Sequence, residues 1–196
     1  IVDFQLSNAF AAMCVLCSQG ADFESVLRAL SESKPIPGRL NKLGGRNKLP
    51  TVVIDFAHTP DALAQVLQTL RPYCSGALSV VFGCGGERDR AKRPLMLREA
   101  LRYADRVFIT LDNPRHEPPE QIVADMLQAG DNREKIVVEL DRRLAVEQAI
   151  GAAGAQDMVL LAGKGHETVQ IVGSERQPYS DEAVARAALQ QRSTHS

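Results

Sequence analysis

No G-x-x-x-x-G-K-[ST] sequence occurs in this 196-residue chain, so the usual P-loop cradle for a nucleoside triphosphate is not among its motifs. Gly163-Lys164 comes nearest, but Gly165 follows it and the next segment reads as a strand rather than a helix. No apolar run is long enough to cross a bilayer, so no membrane partner is expected. A formal net charge of −1 supplies no field for a polyanion, and nucleic acid is not an expected partner either. Cysteine is sparse, at four residues. Cys14 and Cys17 form a C-x-x-C inside an apolar helical pattern, while Cys74 and Cys84 stand alone. A zinc site wants a second pair or nearby histidines. No metal is assigned, and the four read as reduced, packed thiols of a cytoplasmic protein.

What is present reads as an ordinary globular chain, 44% hydrophobic and 24% charged, long enough for one domain with an appendage. Residues 7–19 and 22–33 read as helices, with Ser7 and Asp22 as N-caps and Gly20 between them. Pro35, Pro37 and Gly38 break that pattern, and Gly44-Gly45 breaks it again, which sets an expected boundary between 1–38 and 39–196. Strand-like runs then fall near 51–56, 77–82, 106–111, 135–139 and 157–161. Helical patterns fill the gaps near 60–71, 93–104, 119–129 and 141–152. Such alternation predicts an α/β fold, a doubly wound, Rossmann-like and mostly parallel sheet. Residues 168–172 are expected to add an antiparallel edge strand and 181–191 a closing helix, with 191–196 frayed. The chain opens at Ile1 inside a helix-like segment, which reads as an excised piece of something longer.

The most informative residues are D-N-P-R at 112–115, just past the strand-like run 106–111. A guanidinium fork and a carboxamide on a proline-stiffened loop suit the grip of a small carboxylate. Two further strand-end loops carry complementary groups, G-C-G-G-E-R-D-R-A-K-R-P at 83–94 and A-G-K-G-H-E at 162–167. A fourth motif, V-I-D-F-A-H-T-P, lies at 53–60. Loops at the carboxyl ends of neighbouring parallel strands converge on one crevice, where open α/β sheets bind ligands. G-C-G-G has the flexibility of a phosphate nest but lacks the third glycine of a dinucleotide fingerprint.

In their order along the chain the four motifs resemble those of the Mur ligase family, and the likeness covers nearly the whole chain. It implies a Mur ligase C-terminal domain over 39–196, preceded in 1–38 by the end of the central, ATP-binding domain. It further implies part of an ATP-dependent amide ligase of cytoplasmic peptidoglycan-precursor synthesis. That enzyme adds meso-diaminopimelate to UDP-N-acetylmuramoyl-L-alanyl-D-glutamate through an acyl phosphate. ATP and Mg are the implied cofactors, held mostly by parts of the family fold that this chain lacks, so the chain alone is expected to be inactive. The resemblance places the amino-acid pocket at Arg93, Asp112, Asn113, Pro114, Arg115, Gly163 and Glu167. It places the nucleotide side at Asn8, Arg39, Asp55 and His58, with no catalytic or metal residue assigned. Diaminopimelate differs from lysine by a carboxylate on its far carbon. Arg115 and Asn113 would take that group, and Glu167 an ammonium. Three positions depart from the family pattern: Gln5 and Glu87 replace Asn and Asp, and Ala91 replaces Gly. Three other readings stay open: a lysine-adding ligase, a folylpolyglutamate-type ligase, and a non-catalytic Rossmann-like module that binds an amino acid.

Overall fold

The computed structural model describes residues 3–32, 36–130 and 132–194. It divides into two compact units, Ile1–Ile36 and Pro37–Ser196. The division falls two residues before the boundary expected from sequence, within the proline and glycine break, of which Pro35 lies outside the described residues.

The first unit is a pair of helices, α1 (Asp3–Ser18) and α2 (Phe23–Glu32). Asp22 caps α2 as its residue type suggests, its Oδ2 accepting from the backbone N–H and the hydroxyl of Ser25, each at 2.9 Å. Ser7 does not cap α1. The helix begins four residues earlier, at Asp3, and Ser7 lies within it. Nothing in F-Q-L at 4–6 opposes helix, so a cap-type residue there did not mark a start. Cys14 is exposed on α1 rather than packed, and only Cys74 and Cys84 are buried; all four thiols are free.

In the second unit five parallel strands form the sheet: β2 (Thr51–Asp55), β3 (Leu78–Phe82), β4 (Arg106–Ile109), β5 (Ile136–Val138) and β6 (Met158–Ala162). An antiparallel edge strand, β1 (Asn41–Gly44), completes the order β1-β2-β6-β3-β4-β5. Strands β3 and β6 are buried along their whole length, which is why they read as unbroken apolar runs. Alternate residues face opposite layers. Val53, Val80, Phe82, Leu160 and Ile109 pack with α3 (Pro60–Leu70), α4 (Lys92–Tyr103) and α5 (Pro119–Met126). Val52, Ile54, Val81, Phe108 and Leu161 pack with α6 (Arg142–Ala152) and α7 (Asp181–Thr194). The sheet is therefore covered on both faces, and β6 returns between β2 and β3, creating a switch point at their carboxyl ends.

Two expectations are corrected. Residues 168–172 do not extend the main sheet. They form β7 (Val169–Val172), which pairs with β8 (Glu175–Pro178) in a separate two-stranded hairpin turning at Gly173. The tail is not frayed at 191, because α7 continues to Thr194.

Candidate functional site

The carboxyl ends of β2, β3, β4 and β6 open into a cleft of about 310 Å³ lined by Phe56, His58, Gly83, Cys84, Gly85, Arg88, Lys92, Asp112, Asn113, Arg115, Gly163 and Glu167. All four motifs reach it: D-N-P-R through Asp112, Asn113 and Arg115, the loop at 83–94 through Gly83, Cys84, Gly85, Arg88 and Lys92, the loop at 162–167 through Gly163 and Glu167, and the fourth through Phe56 and His58.

The D-N-P-R loop is built by its neighbours as much as by its own sequence. Gln170 Nε2 donates to the Asp112 carbonyl at 2.8 Å, and the Ile171 amide to Asn113 Oδ1 at 2.9 Å. The Arg115 amide donates to the Ile171 carbonyl at 3.1 Å, while the Gly173 amide donates to the Arg115 carbonyl at 2.7 Å. Clamped at both ends, Arg115 sits at φ +53°, a left-handed backbone unusual for a side-chain-bearing residue. Its Nη1 donates to the carbonyls of Gly86 (2.8 Å) and Asn113 (3.2 Å). Glycine is required opposite: a Cβ on Gly86 would fall on the Pro114 carbonyl oxygen. Pro114 is buried beneath the loop and does not line the cleft.

The second glycine-rich loop follows β6. Gly163 takes φ +106°, and its amide donates to the Asp55 carbonyl at 3.1 Å. A Cβ there would approach Asp112 Oδ2 to 3.1 Å. Glu167 Oε2 accepts from Lys164 Nζ at 2.9 Å and from Asn113 Nδ2 at 3.2 Å. Burial favours the neutral acid at Glu167, but the bond and charge of Lys164, helped by Asn113, outweigh it and hold the carboxyl below its usual range. Cys84 is apolar in its behaviour, its thiol pushed up to about 12 by burial.

Arg93 does not face the cleft, which corrects its assignment to the amino-acid pocket. It is wholly buried at the start of α4. Nη1 donates to Glu117 (2.6 Å) and Asp125 (2.8 Å), and Nη2 to Glu117 (2.7 Å) and the Gly85 carbonyl (3.2 Å). The bond from Arg93 holds the Glu117 carboxyl down at about 2. Through its bond to Gly85, this cluster braces the glycine-rich turn. The cleft arginine of that loop is Arg88, which the sequence reading left in a charged run. Its position two residues past the G-C-G-G turn, nearer the end of β3 than Arg93, is the signal that could have marked it. Among the described residues neither Arg88 nor Arg115 forms an ion pair.

On the nucleotide side, only His58 lines the cleft. Its ring meets Phe56 edge-on at 4.7 Å, and its Nδ1 lies 2.9 Å from the Phe56 carbonyl. Thr59 caps α3 and Pro60 opens it, which fixes His58 at the rim. Arg39 is one layer back, its guanidinium 5.1 Å from the Phe56 ring centre. Asp55 is buried and structural, accepting from the amides of Leu40 (3.0 Å) and Ala57 (2.9 Å). Burial raises its carboxyl above the usual range, and those two amide bonds offset only part of that. Asn8 is exposed on α1 in the first unit. Among the described residues no group of three or more His, Cys, Asp or Glu is placed to hold a metal, and no helix is long and apolar enough to cross a membrane.

A family profile described as "Mur ligase, glutamate ligase domain" matches residues 38–165. The chain belongs to the Mur ligase family. Within the family it is 46% identical over 189 residues to the UDP-N-acetylmuramoyl-L-alanyl-D-glutamate–2,6-diaminopimelate ligase of Synechococcus elongatus, covering 96% of this chain. It is 49% identical over 187 residues to the ligase of the same name from Xylella fastidiosa, covering 95%. A solved structure of a Mur ligase with that name superposes at a TM-score of 0.78 with 40% identity, over 98% of this chain and 39% of that one. The chain spans about 38% of the length of these two curated relatives.

Proposed function

We propose that this chain is the amino-acid-binding part of an ATP-dependent Mur ligase that adds meso-diaminopimelate to UDP-N-acetylmuramoyl-L-alanyl-D-glutamate in the cytoplasm. The observation that carries the reading is the charge pattern of one small cleft. Arg88 and Arg115, free of ion pairs among the described residues, share that cleft with the carboxylates of Asp112 and Glu167. A ligand with carboxylates and ammonium groups at both ends answers that pattern. Arg115, Arg88 and the Asn113 amide take carboxylate, and Asp112 and Glu167 take ammonium. Lysine offers one carboxylate fewer and would leave a guanidinium desolvated and unpaired, a loss that can reject an analogue by roughly 10⁴-fold.

The reaction joins the amine nitrogen of the held amino acid to an acyl phosphate of the nucleotide-linked dipeptide; phosphate departs and the amine loses a proton. This domain contributes position, which is worth several kcal/mol of barrier when reacting groups are aligned. For ATP, the Phe56–His58 edge with Arg39 behind it fits the base and ribose. The triphosphate and Mg²⁺ belong to the rest of the ligase, and residues 1–38 are the end of its central domain. Incubating the complete ligase with ATP, the UDP-linked dipeptide and either amino acid tests the reading. Product with meso-diaminopimelate and little with lysine is expected, and preference for lysine would overturn it.

A further inference from the structure

Lys164 is wholly buried between Gly163 and Glu167, which both line the cleft, yet it does not line the cleft itself. An ammonium has three donors and no acceptor. All three are used, each on a different segment: Asn113 Oδ1 at 3.1 Å, Glu167 Oε2 at 2.9 Å and the Val169 carbonyl at 3.0 Å. The first belongs to the D-N-P-R loop, the second to its own loop, the third to β7.

These bonds decide how the other two side chains are presented. Asn113 Oδ1 receives both the Lys164 ammonium and the Ile171 amide, two groups that can only donate. The amide is thereby fixed with Nδ2 toward Glu167, at 3.2 Å. Nδ2 carries a second N–H, which forms no other hydrogen bond among the described residues, and Asn113 lines the cleft. Glu167 is held through Oε2 alone, so Oε1 remains an acceptor. We infer that Lys164 is a positioning residue for the amino-acid substrate, aiming an N–H of Asn113 and the free oxygen of Glu167 at it without touching it. This rests on the amino-acid reading of the cleft, though not on which amino acid is bound.

Other charges around Glu167 do not replace Lys164. Asp112, whose carboxylate lies beside Gly163, carries the same sign, and Arg88, Lys92 and Arg115 line the same cleft without an ion pair to Glu167. Arg142, at the start of α6, is bound to Asp181, and Tyr179 donates to that same carboxylate. His166 is exposed on the same loop as Lys164. Burial favours the neutral acid at Glu167, and the bond from Lys164 is the first influence opposing it. Removing Lys164 both frees the Asn113 amide to turn and leaves the Glu167 carboxyl to be protonated more readily.

The test is KM for meso-diaminopimelate in the complete ligase between about pH 6 and 8.5, for wild type, Lys164→Met and Lys164→Arg. The ratio of mutant to wild-type KM cancels ionisation of the substrate. For Lys164→Met it is expected to exceed about tenfold at the acid end and to shrink as pH rises, since each pH unit below a carboxyl's pKa removes about tenfold of its ionised form. The kcat changes less, and Lys164→Arg restores the flat profile in part. A ratio that stays flat with pH, or a wild-type KM, would overturn the inference. Should Lys164→Met fail to fold, ¹³C-NMR titration of the glutamates in the wild-type chain decides: Glu167 is expected to titrate below the ordinary glutamate range, and a midpoint at or above it would overturn the inference. A wild-type enzyme that prefers lysine would refute the proposed substrate and leave the role of Lys164 standing, since lysine also presents an ammonium.

Discussion

Replacing Arg93 by methionine separates support of the fold from recognition. Its guanidinium is the buried cation between Glu117 and Asp125, making three bonds of 2.6–2.8 Å to their carboxylates. Removing one partner of a buried ion pair costs about 3–5 kcal/mol, because the opposite charge remains without compensation. Here the lower figure applies. Arg90 stays within 2.9 Å of Asp125 and 3.9 Å of Glu117, and methionine refills much of the volume. In addition, Arg93 Nε is buried without a hydrogen-bond partner, a cost that the substitution removes. About 3 kcal/mol in a chain of this size corresponds to a fall in melting temperature of roughly 6–12 °C. Thermal melting of the 196-residue chain, followed by circular dichroism, measures it. An unchanged melting temperature combined with lost amino-acid affinity would refute this reasoning and return Arg93 to the pocket.

Arg88→Ala is expected to behave in the opposite way. Exposed and outside any described ion pair, it should shift the melting temperature by less than about 2 °C, the effect of an ordinary surface change, while raising KM for the amino acid at least tenfold; a stability loss without a change in KM would contradict it. Acid should unfold the chain partly through Glu117. Its folded carboxyl lies near 2 against an ordinary 4.5, a depressed value, so the stability it contributes is complete above the ordinary value and is lost as pH falls toward 2. Glu117→Gln should therefore flatten the melting-temperature profile over that window, and an unchanged acid slope would exclude Glu117 as its source.

The parallel sheet was legible because β2, β3 and β6 are apolar, β-branched runs bounded by turn residues, a pattern that burial on both faces produces. Strand β1 was not, since N-K-L-G holds a single apolar residue, Leu43, and its pairing with β2 comes from tertiary context. The hairpin of β7 and β8 was misplaced for a similar reason. Strand β7 is only partly buried and β8 is exposed throughout, so periodicity could not tell an edge of the main sheet from a separate ribbon. In the site, D-N-P-R and the glycines of both loops were readable, because their chemistry depends on residue type and on local backbone. The exchange of Arg93 for Arg88 was not. The two arginines lie five positions apart across the start of α4, and which one turns inward is decided by Glu117 and Asp125, more than twenty residues further along the chain. The role of Lys164 was hidden likewise, since its three partners sit on three separate segments.

The central claim is that Arg115 meets a carboxylate that diaminopimelate carries and lysine lacks. The direct test is kcat/KM for both amino acids in the complete ligase, wild type against Arg115→Ala. Loss of a buried, hydrogen-bonded charge pair costs about 2–5 kcal/mol, roughly 30- to several-thousand-fold at about 1.4 kcal/mol per tenfold. That loss is predicted for meso-diaminopimelate alone, with lysine changed by less than about threefold and Arg115→Lys only partly restored, since an ammonium keeps the charge but not the planar fork. Equal losses for the two amino acids would contradict the account and assign Arg115 to the fold or to the part that both substrates share.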